Sequence, residues 1–320
     1  MIDFMSRTSS TVAAFTTHKS FASVANHYDG FILDQFGVMH NGKEALPGAT
    51  DCVKQLSAMG KKMIILSNTS APCETALEKL SRLGFNKDFF QGAVTSGEEA
   101  ARHIRERRDG QKALMFTWSG NNESSKSFLK KCGNIETTNK VHEADFLIAH
   151  GVGVVWDSNK NNTDDMPSLG SFMNDGDMSC IAPILKECQQ LQIPMICANP
   201  DFVVKLAGGA TGYMPGKIAE RYEDMGGICT YFGKPHPEHF QACLRELNID
   251  SRRVAHVGDS LHHDVAGASI AGIESIFITN GIHNDYLGGN FGLLPDDGKL
   301  HSLFEEYDQI PTHVLPLFSF

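Results

Sequence analysis

The sequence has no closely spaced pair of cysteines. Its eight (Cys52, Cys73, Cys132, Cys180, Cys188, Cys197, Cys229 and Cys243) stand singly. That excludes CxxC zinc or redox sites and fits reduced thiols in an intracellular, cytoplasmic protein. No stretch approaches the ~20 consecutive apolar residues of a membrane span, and there is no internal repeat or low-complexity tract. Basic residues are scarce: 28 Lys and Arg face 38 Asp and Glu, a formal net charge of -10. Neither nucleic acid nor an anionic membrane surface suits such a chain. A phosphate site in it needs cations and amides placed locally.

What is present is an alternation of apolar runs and amphipathic stretches over 320 residues, more than one domain usually holds. Phe31-Ile-Leu-Asp34 is a buried strand ending in a carboxylate, with Gly37 allowing a sharp turn. Helix 49–59, strand 62–66 ending in Ser67-Asn68-Thr69-Ser70, and helix 72–83 follow. From residue 97 a charged helix and strands at 113–117, 144–149 and 194–198 read as a separate unit. An Asn- and Asp-rich run between Trp156 and Ser179 reads as an exposed loop. Helices at 216–225 and 237–247, strand 253–257 feeding Gly258-Asp259, a short helix at 265–271 and strand 274–278 complete the pattern.

The pattern predicts an α/β fold, a doubly wound parallel sheet with right-handed crossovers. Residues 21–96 and 205–320 form the main body, 97–204 a smaller inserted α/β unit, and 1–20 an unstructured tail. That tail is Ser- and Thr-rich and acid-poor, as organelle transit peptides are.

Three strand ends present polar groups: Asp34, Ser67-Asn68, and Asp259 with Asp264 five residues on. Such ends converge on one crevice in a doubly wound sheet. Carboxylates gathered there repel one another, so a hard divalent cation such as Mg²⁺ is their natural partner. Lys234 supplies a point charge for anionic oxygens.

Asp34-x-x-Gly37-Val38, the strand ending Ser67-Asn68, Gly233-Lys234-Pro235 and Gly258-Asp259-x4-Asp264 follow one another as do the four motifs of the haloacid dehalogenase-like (HAD) hydrolases. Asn68-Thr69, Asn199-Pro200-Asp201 and the Gly-Lys-Pro spelling resemble the NagD-type branch, whose α/β cap is inserted between motifs two and three. The resemblance spans roughly residues 21–285. It implies a Mg²⁺-dependent phosphatase with a Rossmann-like core, acting on a small phosphorylated metabolite through an aspartyl-phosphate on Asp34. It further implies Asp34, the backbone carbonyl of Phe36 and Asp259 as metal ligands, with Asp264 in or just behind that shell. Ser67, Asn68 and Lys234 would hold the phosphoryl oxygens, with Lys234 also catalytic. The cap would cover the site, and caps of this type often join homodimers. Asn199 and Asp201 would lie on the substrate side.

One position departs from the family pattern. The Asp that protonates the leaving group stands two residues after the nucleophile, and here that residue is Phe36. General acid–base catalysis contributes ~10²–10⁴ in rate, so alkyl phosphates would be poor substrates and aryl or acyl phosphates would suffer less. His40 on the adjoining flap, or His262 or His263 inside the fourth motif, is the candidate substitute, with His40 favoured because flap residues approach the leaving group. The rival expectations are a catalytically impaired binder of a phosphorylated ligand and a phosphotransferase.

Overall fold

The computed structural model describes residues 15–120, 122–206 and 210–320. The chain first lays down β1 (Thr16–Thr17), β2 (Gly30–Leu33), β3 (Lys62–Ser67) and β4 (Phe90–Thr95). A second body follows, with β5 (Lys112–Thr117), β6 (Glu136–Thr138), β7 (Phe146–Ala149), β8 (Val154–Val155), β9 (Met195–Cys197), β10 (Val203–Lys205), β11 (Thr211–Tyr213) and β12 (Cys229–Tyr231). The chain then returns for β13 (Val254–Gly258), β14 (Glu274–Ile278) and β15 (His313–Leu315).

Seven strands make the first sheet, in the order β1-β15-β14-β13-β2-β3-β4, with every pairing parallel. Parallel sheets must be covered on both faces, and the sequence shows why this one is. Phe31 and Leu33 join one apolar cluster with Met63, Ile65 and Val257, while Ile32 joins Ile64, Leu66 and Val254 in another. An unbroken apolar run therefore serves two cores at once. The order reverses between β13 and β2, so their carboxyl ends, carrying Asp259 and Asp34, flank the crevice where α/β folds bind ligands.

The second sheet runs β12-β9-β7-β5-β6, with β8 added antiparallel to β5. Leu114, Phe116 and Leu147 enter one cluster, and Ala113, Met115 and Phe146 the other. This sheet keeps β12 and the helix Pro215–Asp224, whose Ile218, Ala219 and Tyr222 pack in its core. The insertion thus extends to about residue 232, not 204. β12 is three half-exposed residues recruited by parallel pairing with β9, and it carries no apolar signal of its own.

Two further expectations change. Residues 1–14 of the expected tail lie outside the described residues, but Thr16 and Thr17 pair with His313 and Val314, and Phe15 packs edge-on against Phe304 at 5.0 Å. The run 156–179 is not a loose loop: Trp156, Thr163, Met166, Leu169 and Phe172 are buried between its polar residues and pin it to the second body.

The two bodies meet where the chain crosses between them. A Cβ added to Gly233 would lie 2.9 Å from that of Ser96, so the outgoing and returning crossings run side by side. Ser96 Oγ bonds to the Thr69 carbonyl at 3.0 Å and the Ala198 carbonyl at 2.8 Å. Trp118 Nε1 donates to Ser70 Oγ across the same seam at 3.0 Å. Among the described residues no helix is long and apolar enough to cross a membrane.

Candidate active site

Asp34 leaves the end of β2, its N–H held by the Val257 carbonyl at 2.9 Å. Gly37 then turns with φ +82°, and a Cβ there would lie 1.9 Å from Asp259 Oδ2. Only glycine lets the backbone pass this close to the second carboxylate. Asp259, at the end of β13, receives the Ile282 N–H on Oδ2 at 2.8 Å. After Ser260 the chain makes a single π-turn, with Val265 N–H reaching back to the Ser260 carbonyl at 3.1 Å. Such turns are frequent at functional sites. Here the turn folds Asp264 back so that its Oδ2 accepts the Ser260 N–H at 3.0 Å.

Lys234 is the hub. Its Nζ lies 2.7 Å from Asp34 Oδ1 and 2.7 Å from Asp264 Oδ1, and all three side chains are buried. The same Asp264 oxygen is also bonded to Nε2 of the fully buried His256 at 2.7 Å. Asp264 therefore has both oxygens engaged by the chain. Asp34, Asp259 and Asp264 each bring a carboxylate oxygen within 4.8 Å of the others.

Three buried carboxylates against one lysine leave negative charge uncompensated. Burial pushes Asp34 up to about 7 despite the opposing pull of Lys234. Burial, with Asp34 beside it, also raises Asp259 well above the usual carboxylate range. Asp264 goes the other way: Lys234 and His256 overcome burial and hold it down. The two carboxylates still short of positive charge are all-oxygen donors, and a hard dication fits them.

The other expected residues divide. Ser67 and Phe36 line the same cavity beside Asp34. Asn68 reaches the cavity wall, but its amide is taken up within the protein. Nδ2 donates to Asp201 Oδ1 at 2.8 Å and the Lys234 carbonyl at 3.2 Å, and Oδ1 receives the Lys234 N–H at 2.7 Å. It is a clamp on Lys234, not a side-chain phosphate donor. Asp201 lines the cavity, whereas Asn199 does not: its Oδ1 receives the Asp201 N–H at 3.0 Å and shapes the turn.

His40 is turned inward. Its Nδ1 accepts the Gly42 N–H at 3.0 Å, its other nitrogen faces Gln35, and burial lowers it to about 4. It is absent from the cavity wall, so as placed it cannot protonate a leaving group. Sequence reasoning missed His256, because a histidine inside an apolar strand carries no local signal of what lies behind it. It also missed His283 on the cavity wall, whose Nε2 accepts the Leu261 N–H at 3.3 Å.

A doubly wound sheet with an inserted α/β body, its switch point carrying Asp34, Ser67, Lys234, Asp259 and Asp264, defines the HAD class of hydrolases. Comparison with known proteins agrees: a haloacid dehalogenase-like hydrolase model matches residues 31–133, and a second HAD-like hydrolase model residues 231–296. The chain is 24% identical over 281 residues to a 4-nitrophenylphosphatase of Schizosaccharomyces pombe, covering 83% of this chain and 89% of that protein. It is 25% identical over 272 residues to chronophin of Rattus norvegicus, covering 81% and 79%. The crystal structure of a haloacid dehalogenase-like hydrolase from Brucella suis superposes with a TM-score of 0.70, at 24% identity over 92% of this chain and 97% of that one. The chain belongs to the HAD-like hydrolases.

Proposed function

We propose that the protein is a Mg²⁺-dependent phosphohydrolase that works on a small phosphorylated metabolite through an aspartyl-phosphate on Asp34. The observation that carries this reading is the buried Lys234 with its Nζ 2.7 Å from both Asp34 and Asp264. Lys234 holds Asp34 in line and neutralises charge on the transferring group. Ser67 Oγ and nearby backbone N–H groups bind the phosphoryl oxygens. Asp34, Asp259 and the backbone carbonyl of Phe36 would hold the metal, with Asp264 behind them fixing Lys234. When bound, the metal withdraws charge from the phosphoryl oxygens. The second body, residues 97 to about 232, acts as a cap that excludes water and contacts the leaving group. The naming of the fission-yeast relative as a phosphatase supports the reaction type.

Phe36 favours a second reading, a binder of phosphorylated ligands without turnover. A phosphatase screen of the wild type, Asp34→Asn and Phe36→Asp with Mg²⁺ separates the two. Turnover in the wild type, lost in Asp34→Asn, supports the hydrolase. Silence of all three, with beryllium fluoride still bound, leaves the binder.

A further inference from the structure

His262 and His263 stand on the cavity wall, while a third histidine, His256, lies behind it. It sits in the middle of β13, fully buried, on the face that carries Val254. That face packs in an apolar cluster with Ile32 and Phe240, and the Phe240 ring meets the imidazole edge-on with centroids 5.0 Å apart. A polar ring in such a place needs a partner.

The next residue along the same face is Gly258. A Cβ added there would lie 2.1 Å from Asp264 Cγ, so the Asp264 carboxylate fills the space that a side chain at 258 would take. Strand periodicity thereby sets it beside His256, and Nε2 meets Asp264 Oδ1 at 2.7 Å. Asp264 is held in its ionised form, and a carboxylate only accepts, so Nε2 carries the proton.

The consequence falls on Lys234. An ammonium has three N–H donors. One goes to Asp264 Oδ1 and one to Asp34 Oδ1, both at 2.7 Å, and one remains for a phosphoryl oxygen. Asp264 Oδ2 takes the Ser260 N–H at 3.0 Å, and Oδ1 divides its lone pairs between Lys234 and His256. Without His256, this carboxylate could turn and draw the ammonium into a closer pairing, away from Asp34.

We propose that His256 is a positioning residue: its Nε2–H pins Asp264 so that the carboxylate takes one Lys234 N–H and leaves the other two for Asp34 and the phosphoryl group. This rests on the hydrolase reading.

His256→Met fills the apolar space without a donor, whereas His256→Gln offers an amide N–H near the same place. With Mg²⁺ and 4-nitrophenyl phosphate, His256→Met should lose ~10–100-fold in kcat, as removal of an outer hydrogen-bond partner does, with KM within about twofold. His256→Gln should recover most of that loss. In the metal-free protein labelled with ¹⁵N-histidine, the ring signal that either substitution deletes should be protonated at Nε2, with its proton downfield and slow to exchange. A folded His256→Met with the wild-type kcat overturns the proposal and spares the hydrolase reading. A His256→Gln no faster than a folded His256→Met, or a deleted signal protonated at Nδ1 alone, does the same. A wild type inert towards both 4-nitrophenyl phosphate and acetyl phosphate overturns both.

Discussion

At the scale of single residues, the site is a charge balance built around Lys234. Asp34 titrates at about 7 in the metal-free protein because it is buried, whereas an unfolded aspartate titrates at ~3.9. The folded chain therefore keeps that proton longer, and Asp34's contribution to stability falls as pH rises from about 4 to 7. Asp34→Asn removes the buried charge. It should abolish turnover yet stabilise the metal-free protein at pH 8 by on the order of 1–3 kcal/mol, read as a higher Tm that vanishes at pH 4. A lower Tm at pH 8 would contradict this account. Asn68→Ala removes the clamp on the Lys234 backbone. It should cost roughly 1–3 kcal/mol of stability and lower kcat more than it raises KM. An unchanged kcat would return Asn68 to a passive wall.

At the scale of elements, the flap after β2 and the π-turn after β13 each convert a strand end into a placed side chain. The Asp34, Ser67 and Asp259 strand ends were legible in the sequence because an apolar run stopping at a polar residue is a one-dimensional signal. The function of His40 was not, because proximity in sequence to Asp34 says nothing about which way a ring turns. Its acceptance of the Gly42 N–H makes it a brace of the flap. His40→Ala should cost about 1–2 kcal/mol by denaturant unfolding while leaving kcat within a few-fold. A loss of kcat beyond ~10²-fold at unchanged stability would restore it as the acid. β1, β12 and β15 escaped notice for another reason: each is two or three residues long, and its partner strand lies far away in sequence or carries the apolar signal for both.

At the scale of the whole molecule, two α/β bodies share one chain. The alternation of strands and helices made both visible, but the end of the insertion was misjudged because the helix Pro215–Asp224 reads like one of the main body's own and β12 carries no signal that would hold it to the second sheet. The adjacent crossings at Ser96 and Gly233 give a direct test. Joining residue 97 to residue 232 through a short Gly-Ser linker should yield a core that folds and still binds beryllium fluoride with Mg²⁺. That core should show changed KM values across a panel of phosphate esters, since Phe202, Val203 and Leu206 of the cavity wall leave with the second body. An unfolded product by circular dichroism would show that the first sheet depends on the second.

Paired crossings also constrain motion. A body attached by two neighbouring strands of chain can swing about the line through them but resists twisting, much as a door does on its pin. Groups close to that line barely move, and groups far from it move most. Asp201, which holds Asn68 beside the crossing, should keep its contact at every angle. The Lys205–Asp285 bridge joins the hairpin to the core beyond it and should break first. A swing of this kind leaves the phosphate end of the site assembled throughout the cycle and changes only the clearance for the leaving group.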